Sequence, residues 1–432
     1  MNAKKANNTI GKARQLQRKL YLAAKENSKR RFHALYDKVA RKDILKTAWE
    51  RVKANQGAAG IDKVTIEEIE AIGIETIIKE IQNKLLKNKY NPLPVKRVYI
   101  PKKDGGERPL GIPAVTDRII QMATKIVIEP IFEADFKECS YGFRPKRNAH
   151  QALDKIKTQI NNKGWFVLDA DITKYFDTIS HDKLITLIEL RISDRRIIKL
   201  IKKWLKSGVM EAGKYIESPT GAPQGGVISP LLSNIYLNYF DTLWEKNFKE
   251  IGNLYRYADD FVIISRTRER INKALKAVKE IMKRLELTLH PTKTRIVNMW
   301  NGKEGFDFLG FHHRSIPVIM NGKRSYHSLH QWPSNKAQRS MIDKTRNVLG
   351  TPQAIGQSMK ELIKTLNRKI IGWRNYYGLP KARKALNKID DYIIKRFVIW
   401  SNRKAQAKQR LGHMTKIRRI LRANGLERVT CY

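Results

Sequence analysis

Three aspartates stand where chemistry needs charge, in a chain that is otherwise strongly basic. Asp171 ends an apolar run, Trp165-Phe166-Val167-Leu168-Asp169-Ala170-Asp171-Ile172. Asp259 and Asp260 interrupt another, between Tyr257-Ala258 and Phe261-Val262-Ile263-Ile264. Carboxylates held close repel each other and raise a pKa unless a cation sits between them. Mg²⁺ is the natural cation, being hard, oxygen-loving and content with one or two carboxylates plus substrate phosphates. Two such ions about 4 Å apart can activate a 3′-hydroxyl and stabilise a departing pyrophosphate. A polar hairpin turn would account for Asp259-Asp260 alone, since Asp is common in turns. It does not account for Asp171 as well.

The elements around these acids read as strands and turns. Residues 165–172 form a strand, and period-two alternation puts Asp169 on the same face as Asp171. Leu254 to Ser265 reads as strand, turn, strand. Val95 to Pro101 and Arg108 to Pro113 flank a Lys-Asp-Gly-Gly turn, which is hairpin grammar. Lys102 and Arg108 then stand on opposite arms, where two cations could grip a triphosphate. Gly221 to Gly226 is a Pro/Gly turn, and Ser229-Pro230 opens a helix. Gly225-Gly226 lets backbone approach a ligand without a Cβ clash. Helices are expected over 181–190, 196–206, 268–286, 335–348, 358–377 and 381–399. Ser334 caps the fourth of these, whose basic face includes Lys336 and Arg339.

The 432 residues carry 86 Lys+Arg against 41 Asp+Glu, a net charge of +45. Such an excess calls for a polyanionic partner, usually a phosphate backbone. Apolar residues make up 41%, enough for a real core. Two cysteines, Cys139 and Cys431, exclude a disulfide framework and a four-cysteine zinc module. The charged N-terminus does not read as a signal peptide, and no run approaches the roughly 20 apolar residues of a membrane span. A cytoplasmic, multidomain, nucleic-acid-handling protein is expected. Residues 1–31 hold ten Lys/Arg and one acid; residues 403–432 hold nine and one.

Tyr257-Ala258-Asp259-Asp260 resembles the palm hairpin of reverse transcriptases, and Asp171 the other palm aspartate. Gly221-Ala222-Pro223-Gln224-Gly225-Gly226-Val227-Ile228-Ser229-Pro230 resembles the template-and-nucleotide motif between them. Arg108-Pro109-Leu110-Gly111-Ile112-Pro113, Ser140-Tyr141-Gly142-Phe143-Arg144-Pro145 and Phe308-Leu309-Gly310-Phe311 are similar to bacterial group II intron reverse transcriptase/maturases. Ile371-Gly372-Trp373-Arg374-Asn375-Tyr376-Tyr377 resembles their thumb signature.

The resemblance implies an α+β right-hand polymerase: fingers, an antiparallel palm sheet, a helical thumb and a basic C-terminal segment. It divides the chain into a basic extension (1–90), fingers and palm (91–311), a thumb or maturase domain (312–379) and a DNA-binding segment (380–432). Asp171 and Asp259 would bind two Mg²⁺ ions, with Mn²⁺ a possible substitute. Asp260 would touch metal or add charge behind it, and Ile172 joins the metal and nucleotide contacts. Lys102, Arg108, Phe176 and Gln224 would meet the incoming dNTP, Phe176 as a steric gate against a ribose 2′-hydroxyl or else as core packing. Gly225, Gly226, Arg144, Lys336 and Arg339 would meet template or other nucleic acid. Lys293 resembles a general acid to pyrophosphate. The implied activity is RNA-directed DNA synthesis on an RNA template with a DNA or RNA primer. Group II intron RNA and target DNA are implied partners, with monomer and dimer both open. No HNH endonuclease is recognisable, as in the compact class C lineage. A splicing maturase without catalysis stays open, as does a domesticated enzyme of phage defence or CRISPR spacer acquisition.

Overall fold

The computed structural model describes residues 3–101, 106–211, 213–222, 224–320, 323–405 and 414–430. Lys102, Pro223 and Cys431 lie outside them. The chain forms two compact units. The first comprises Met1–Asp154 and Leu168–Arg295; the second comprises Lys155–Val167 and Ile296–Tyr432.

The first unit is built around the helix Val115–Glu133, which is buried on nearly every side from Ile119 to Phe132. A helix apolar all round belongs in a core. The helices Ala3–Glu26 and Lys42–Ala54 pack on it, and Gln17 Nε2 donates to Ile126 O at 3.1 Å. Ala13, Leu20 and Ala24 of the first helix and Ile44, Leu45 and Ala48 of the second are thereby buried in this unit's core.

Two sheets follow. Strands β1 (Val95–Pro101) and β2 (Glu107–Ile112) form the expected hairpin, pairing Ile100 with Arg108. With β3 (Phe166–Ala170) reserved for the second sheet, β4 (Val209–Glu211) and β5 (Lys214–Ile216) complete the first in the order β2-β1-β4-β5. In the second sheet, β7 (Asp260–Ser265) lies between β6 (Asn253–Tyr257) and β3. A strand flanked on both sides and covered by helices reads as a continuous apolar run, as Phe261–Ile264 does. The helix Ser229–Asn247, with Pro at its first turn, is one cover. Its Phe240 meets Phe261 edge-on at 5.1 Å.

The chain leaves this unit through β8 (Arg295–Asn298). In the second unit, β9 (Gly305–Phe308), β10 (Phe311–Met320) and β11 (Lys323–Pro333) form an antiparallel meander, β11-β10-β9. Helices Asn335–Leu349, Met359–Tyr377, Arg383–Lys404 and Met414–Ala423 follow. The divisions expected at 311/312 and 379/380 are not breaks in packing. Phe311 and His312 are neighbours in β10. Leu386, Ile389, Phe397, Trp400 and Leu421 share one core with Leu362, Leu366 and Trp373. Among the described residues no helix is long and apolar enough to cross a membrane.

Candidate active site

The β6–β7 hairpin positions the acidic pair. Tyr257 pairs with Asp260, leaving Ala258 and Asp259 as the two turn residues. Ala258 takes φ +59°, the left-handed conformation that two-residue hairpin turns demand. Arg256, fully buried, braces the turn from behind. It donates to Asp241 at 2.8 Å, to Asn234 Oδ1 at 3.0 Å and to Ala258 O at 2.8 Å. A buried guanidinium is tolerable only when paired and hydrogen-bonded.

The Ser140-Tyr141-Gly142 segment lies against the same strand. Arg256 N donates to Cys139 O at 2.8 Å, and Tyr141 N to Arg256 O at 2.9 Å. A Cβ on Gly142 would fall 2.4 Å from Ala258 N, so only glycine lets this segment back the turn so closely.

Asp171 follows β3. His290 N donates to its carbonyl at 2.8 Å, and Thr173 N donates to Thr288 O at 2.9 Å. Ile172, buried, bridges Leu289 between these bonds. This short antiparallel contact delivers Lys293, whose Nζ donates to Asp171 Oδ2 at 2.9 Å. Asp169 instead meets Arg295 Nε at 3.4 Å.

The acids feel one another. Burial and then the charge of Asp171 push the Asp259 carboxyl up, against its backbone hydrogen bond, Arg108 and Arg256. Asp260 lies well above the carboxylate range, through burial first and then Asp169, Asp259 and Asp171. Such mutual repulsion fits a divalent cation, and the donor set is all oxygen. Among the described residues no ready-made cluster of three or more His, Cys, Asp or Glu ligands occurs. The Asp171 carboxylate is paired with an ammonium.

The nucleotide side is assembled by β2 and the Gly221–Gly226 turn. Arg108 Nε donates to Gln224 Oε1 at 3.3 Å, and Gly111 N to Gln224 O at 2.6 Å. Gly225 has φ +111°, and a Cβ there would fall 2.5 Å from Gly111 O. Gly226 is buried, and its carbonyl accepts from Ser229 N. Phe176, half-buried, stands edge-on to Tyr175 at 5.4 Å. Its carbonyl accepts from Ala222 N at 2.7 Å. Arg97, Gly111, Phe176, Gly221, Ala222 and Gln224 line a cavity of about 240 Å³. Arg97 was not anticipated. Its Nε is buried without a hydrogen-bond partner among the described residues, and its period-two phase with buried Val95 is the signal that could have found it.

Arg144, expected to meet nucleic acid, is turned into the protein. Its side chain is 3% exposed. Nε and Nη2 bind Glu133, and Nη1 donates to Lys137 O and Ser140 O. With every polar nitrogen engaged internally, it holds the loop. Lys336 and Arg339 are exposed on the helix Asn335–Leu349 of the second unit, which Ser334 caps by accepting from Ala337 N at 3.2 Å.

Paired acids on a hairpin and a strand end, with Arg108 near enough to act on Asp259, are the arrangement of a nucleotidyl-transfer palm. Residues 100–313 match the reverse transcriptase (RNA-dependent DNA polymerase) family, and residues 338–419 the group II intron maturase-specific domain. Protein YkfC of Escherichia coli K12 is 36% identical over 343 residues, covering 70% of this chain and 88% of that one. Group II intron-encoded protein LtrA of Lactococcus lactis is 42% identical over 219 residues, covering 50% of this chain and 36% of LtrA. An uncharacterized 91 kDa protein in a cob intron of Schizosaccharomyces pombe is 28% identical over 441 residues, covering 84% and 53%. This chain thus spans about a third of LtrA and about half of the yeast protein. It belongs to the group II intron reverse transcriptases. That membership implies RNA-directed DNA polymerase activity, divalent-metal dependence and binding of intron RNA and template–primer as family properties.

Proposed function

We propose that this chain extends a primer 3′-hydroxyl with dNTPs on an RNA template, and also binds group II intron RNA to assist its splicing and its insertion into target DNA, in the cytoplasm of a bacterium. The observation that carries the catalytic half is the apposition of Asp171, Asp259 and Lys293 in one small anionic centre. Asp171 and Asp259 would hold two Mg²⁺, with Asp260 adding charge and Ile172 completing the strand end. The metal, when bound, supplies charge stabilisation for the attacking and leaving oxygens.

The chain's own residues do the rest. Arg108, together with Lys102, neutralises the triphosphate. Gln224 and the Gly225-Gly226 backbone orient the nucleotide against its template base. Phe176 fills the space a 2′-hydroxyl would need. Lys293 holds a proton next to Asp171, positioned for the departing pyrophosphate. Primer extension on an RNA template with Mg²⁺ tests this reading. Asp259→Ala should lower the rate by at least about 100-fold. Equal extension by wild type and variant would end the polymerase assignment.

A further inference from the structure

The helix Arg195–Leu205 turns Ile197, Ile198, Ile201 and Trp204 into the core and carries no acid. Its outer face continues past its end as Lys199, Lys202, Lys203 and Lys206, at helical spacing along a line of about 10 Å. These four lysines line a groove of about 470 Å³ with Asn91, Pro92, Pro94, Ser207 and Tyr215, and none of its walls is acidic. Four like charges in one groove repel each other. Lys203, half-buried, is pushed down by burial and then by Lys199, and its ammonium is engaged by Tyr90 O and Asn91 Oδ1. Lys199, Lys202 and Lys206 are exposed.

The groove also has a flat wall. Tyr215 on β5 is 51% exposed, and the rest of its ring is covered. It lies on the backbone of Gly208, where a Cβ would fall 2.4 Å from the ring and where φ is +71°. A half-exposed phenol beside a row of exposed ammonium groups is the pairing that recognises an unpaired nucleotide: base on the ring, phosphates on the cations. A-form duplex offers no free base face to such a ring. The nucleotide cavity takes Arg97 from β1, Gly111 from β2, Val209 from β4 and Glu217 just past β5, and shares no lining residue with the groove.

We propose that this groove docks an unpaired segment of the folded intron RNA, held at the same time as a template–primer at the palm. The inference rests on the intron-binding half of the function proposed above. The separate lining is what assigns the groove to this second RNA and not to the template strand.

The experiment uses the full chain and a transcript of the DNA flanking its reading frame, titrated over a salt series. Wild type must bind this transcript more tightly than an unrelated RNA of equal length; failure there overturns the intron-binding reading and the groove with it. Given wild-type binding, K199Q/K202Q/K206Q should weaken affinity about tenfold and lower the log–log salt slope by about 2. Tyr215→Ala should weaken it roughly tenfold with the slope kept, and Tyr215→Phe should bind as wild type. Melting curves establish that each variant is folded. Primer extension on a short oligonucleotide template should be unchanged in all three. Unaltered affinity in folded triple and Tyr215→Ala variants overturns the groove while leaving the function intact. An equal loss in primer extension also overturns it, by placing the groove on the template path.

Discussion

Phe176 has two roles to choose between, and a single substitution separates them. Its ring is half-buried, edge-on to the fully buried Tyr175, and borders the 240 Å³ cavity with Gln224. If the ring blocks a 2′-hydroxyl, Phe176→Ala should lower discrimination of dNTP against rNTP by at least about tenfold. If it only packs, the variant should melt earlier with that ratio unchanged. Steady-state incorporation of each nucleotide decides. Asp117 supplies a different residue-level outcome. It is buried, accepts from Tyr90 Oη and Leu93 N, and its pKa is pushed up to about 6 by burial. The folded state therefore holds this proton more tightly than the unfolded chain. Its contribution to stability is complete below about pH 4 and is lost as pH rises through about 6. The stability difference between wild type and Asp117→Asn should shift by about 1–2 kcal/mol against wild type from pH 5 to 7. Denaturant unfolding at both pH values measures it; a constant difference would refute the assignment. The residues that carry the family resemblance were readable because their chemistry is local: paired acids at a turn, glycines in a loop. The inward pairing of Arg144 is not legible in the sequence, because its partner Glu133 stands eleven residues earlier on another element and nothing in Phe143-Arg144-Pro145 announces it.

At the scale of elements, the catalytic turn depends on the segment behind it. Gly142 touches Ala258 so closely that a methyl group cannot be added without moving backbone. Gly142→Ala should displace the Ala258-Asp259 turn by a fraction of an ångström or more. Misplacement on that scale can cost about 100-fold in rate, against a stability loss of about 1–3 kcal/mol. Extension kinetics beside a melting curve test this; wild-type rates in Gly142→Ala would show that the turn does not need this backing. Elements with strong periodicity were legible: the helix expected over 268–286 is Arg268–Arg284, and the hairpin around 102–106 is β1–β2. The β10–β11 hairpin was not. Its strands carry His312, His313, Arg314, Pro317, His327 and His330, so polar residues and a proline mask the alternation that marks a strand. Pairing along 311–333 arises from the ladder itself, with a bulge after Val318 absorbing the irregularity.

For the whole molecule, charge and core give separate guidance. The net charge of +45 says what the surface meets and nothing about where the folding units end. The family resemblance puts a division at 379/380, before a stretch rich in Lys and Arg. The second unit's core ignores that division. The helix Met359–Tyr377 buries Leu362, Ile363, Leu366, Ile370 and Trp373 against residues that come from the far side of it. Among these, Trp400 also donates from Nε1 to Ala354 O at 2.7 Å, and Asn367 Nδ2 donates to Gly425 O at 2.8 Å. Removing residues 380–432 would strip the helix of its apolar partners. Losing even one such side chain, as in Phe397→Ala, should cost about 3–5 kcal/mol, a large fraction of a domain's stability. A chain ending at 379 should therefore show rapid proteolytic cleavage throughout 335–377, while residues 36–154 and 168–295 stay protected with their own core. Limited proteolysis read by mass spectrometry makes the comparison with the full chain. Retention of full-length protection over 335–377 would mean that the thumb helices fold without the basic segment, and that the shared core is an accessory contact.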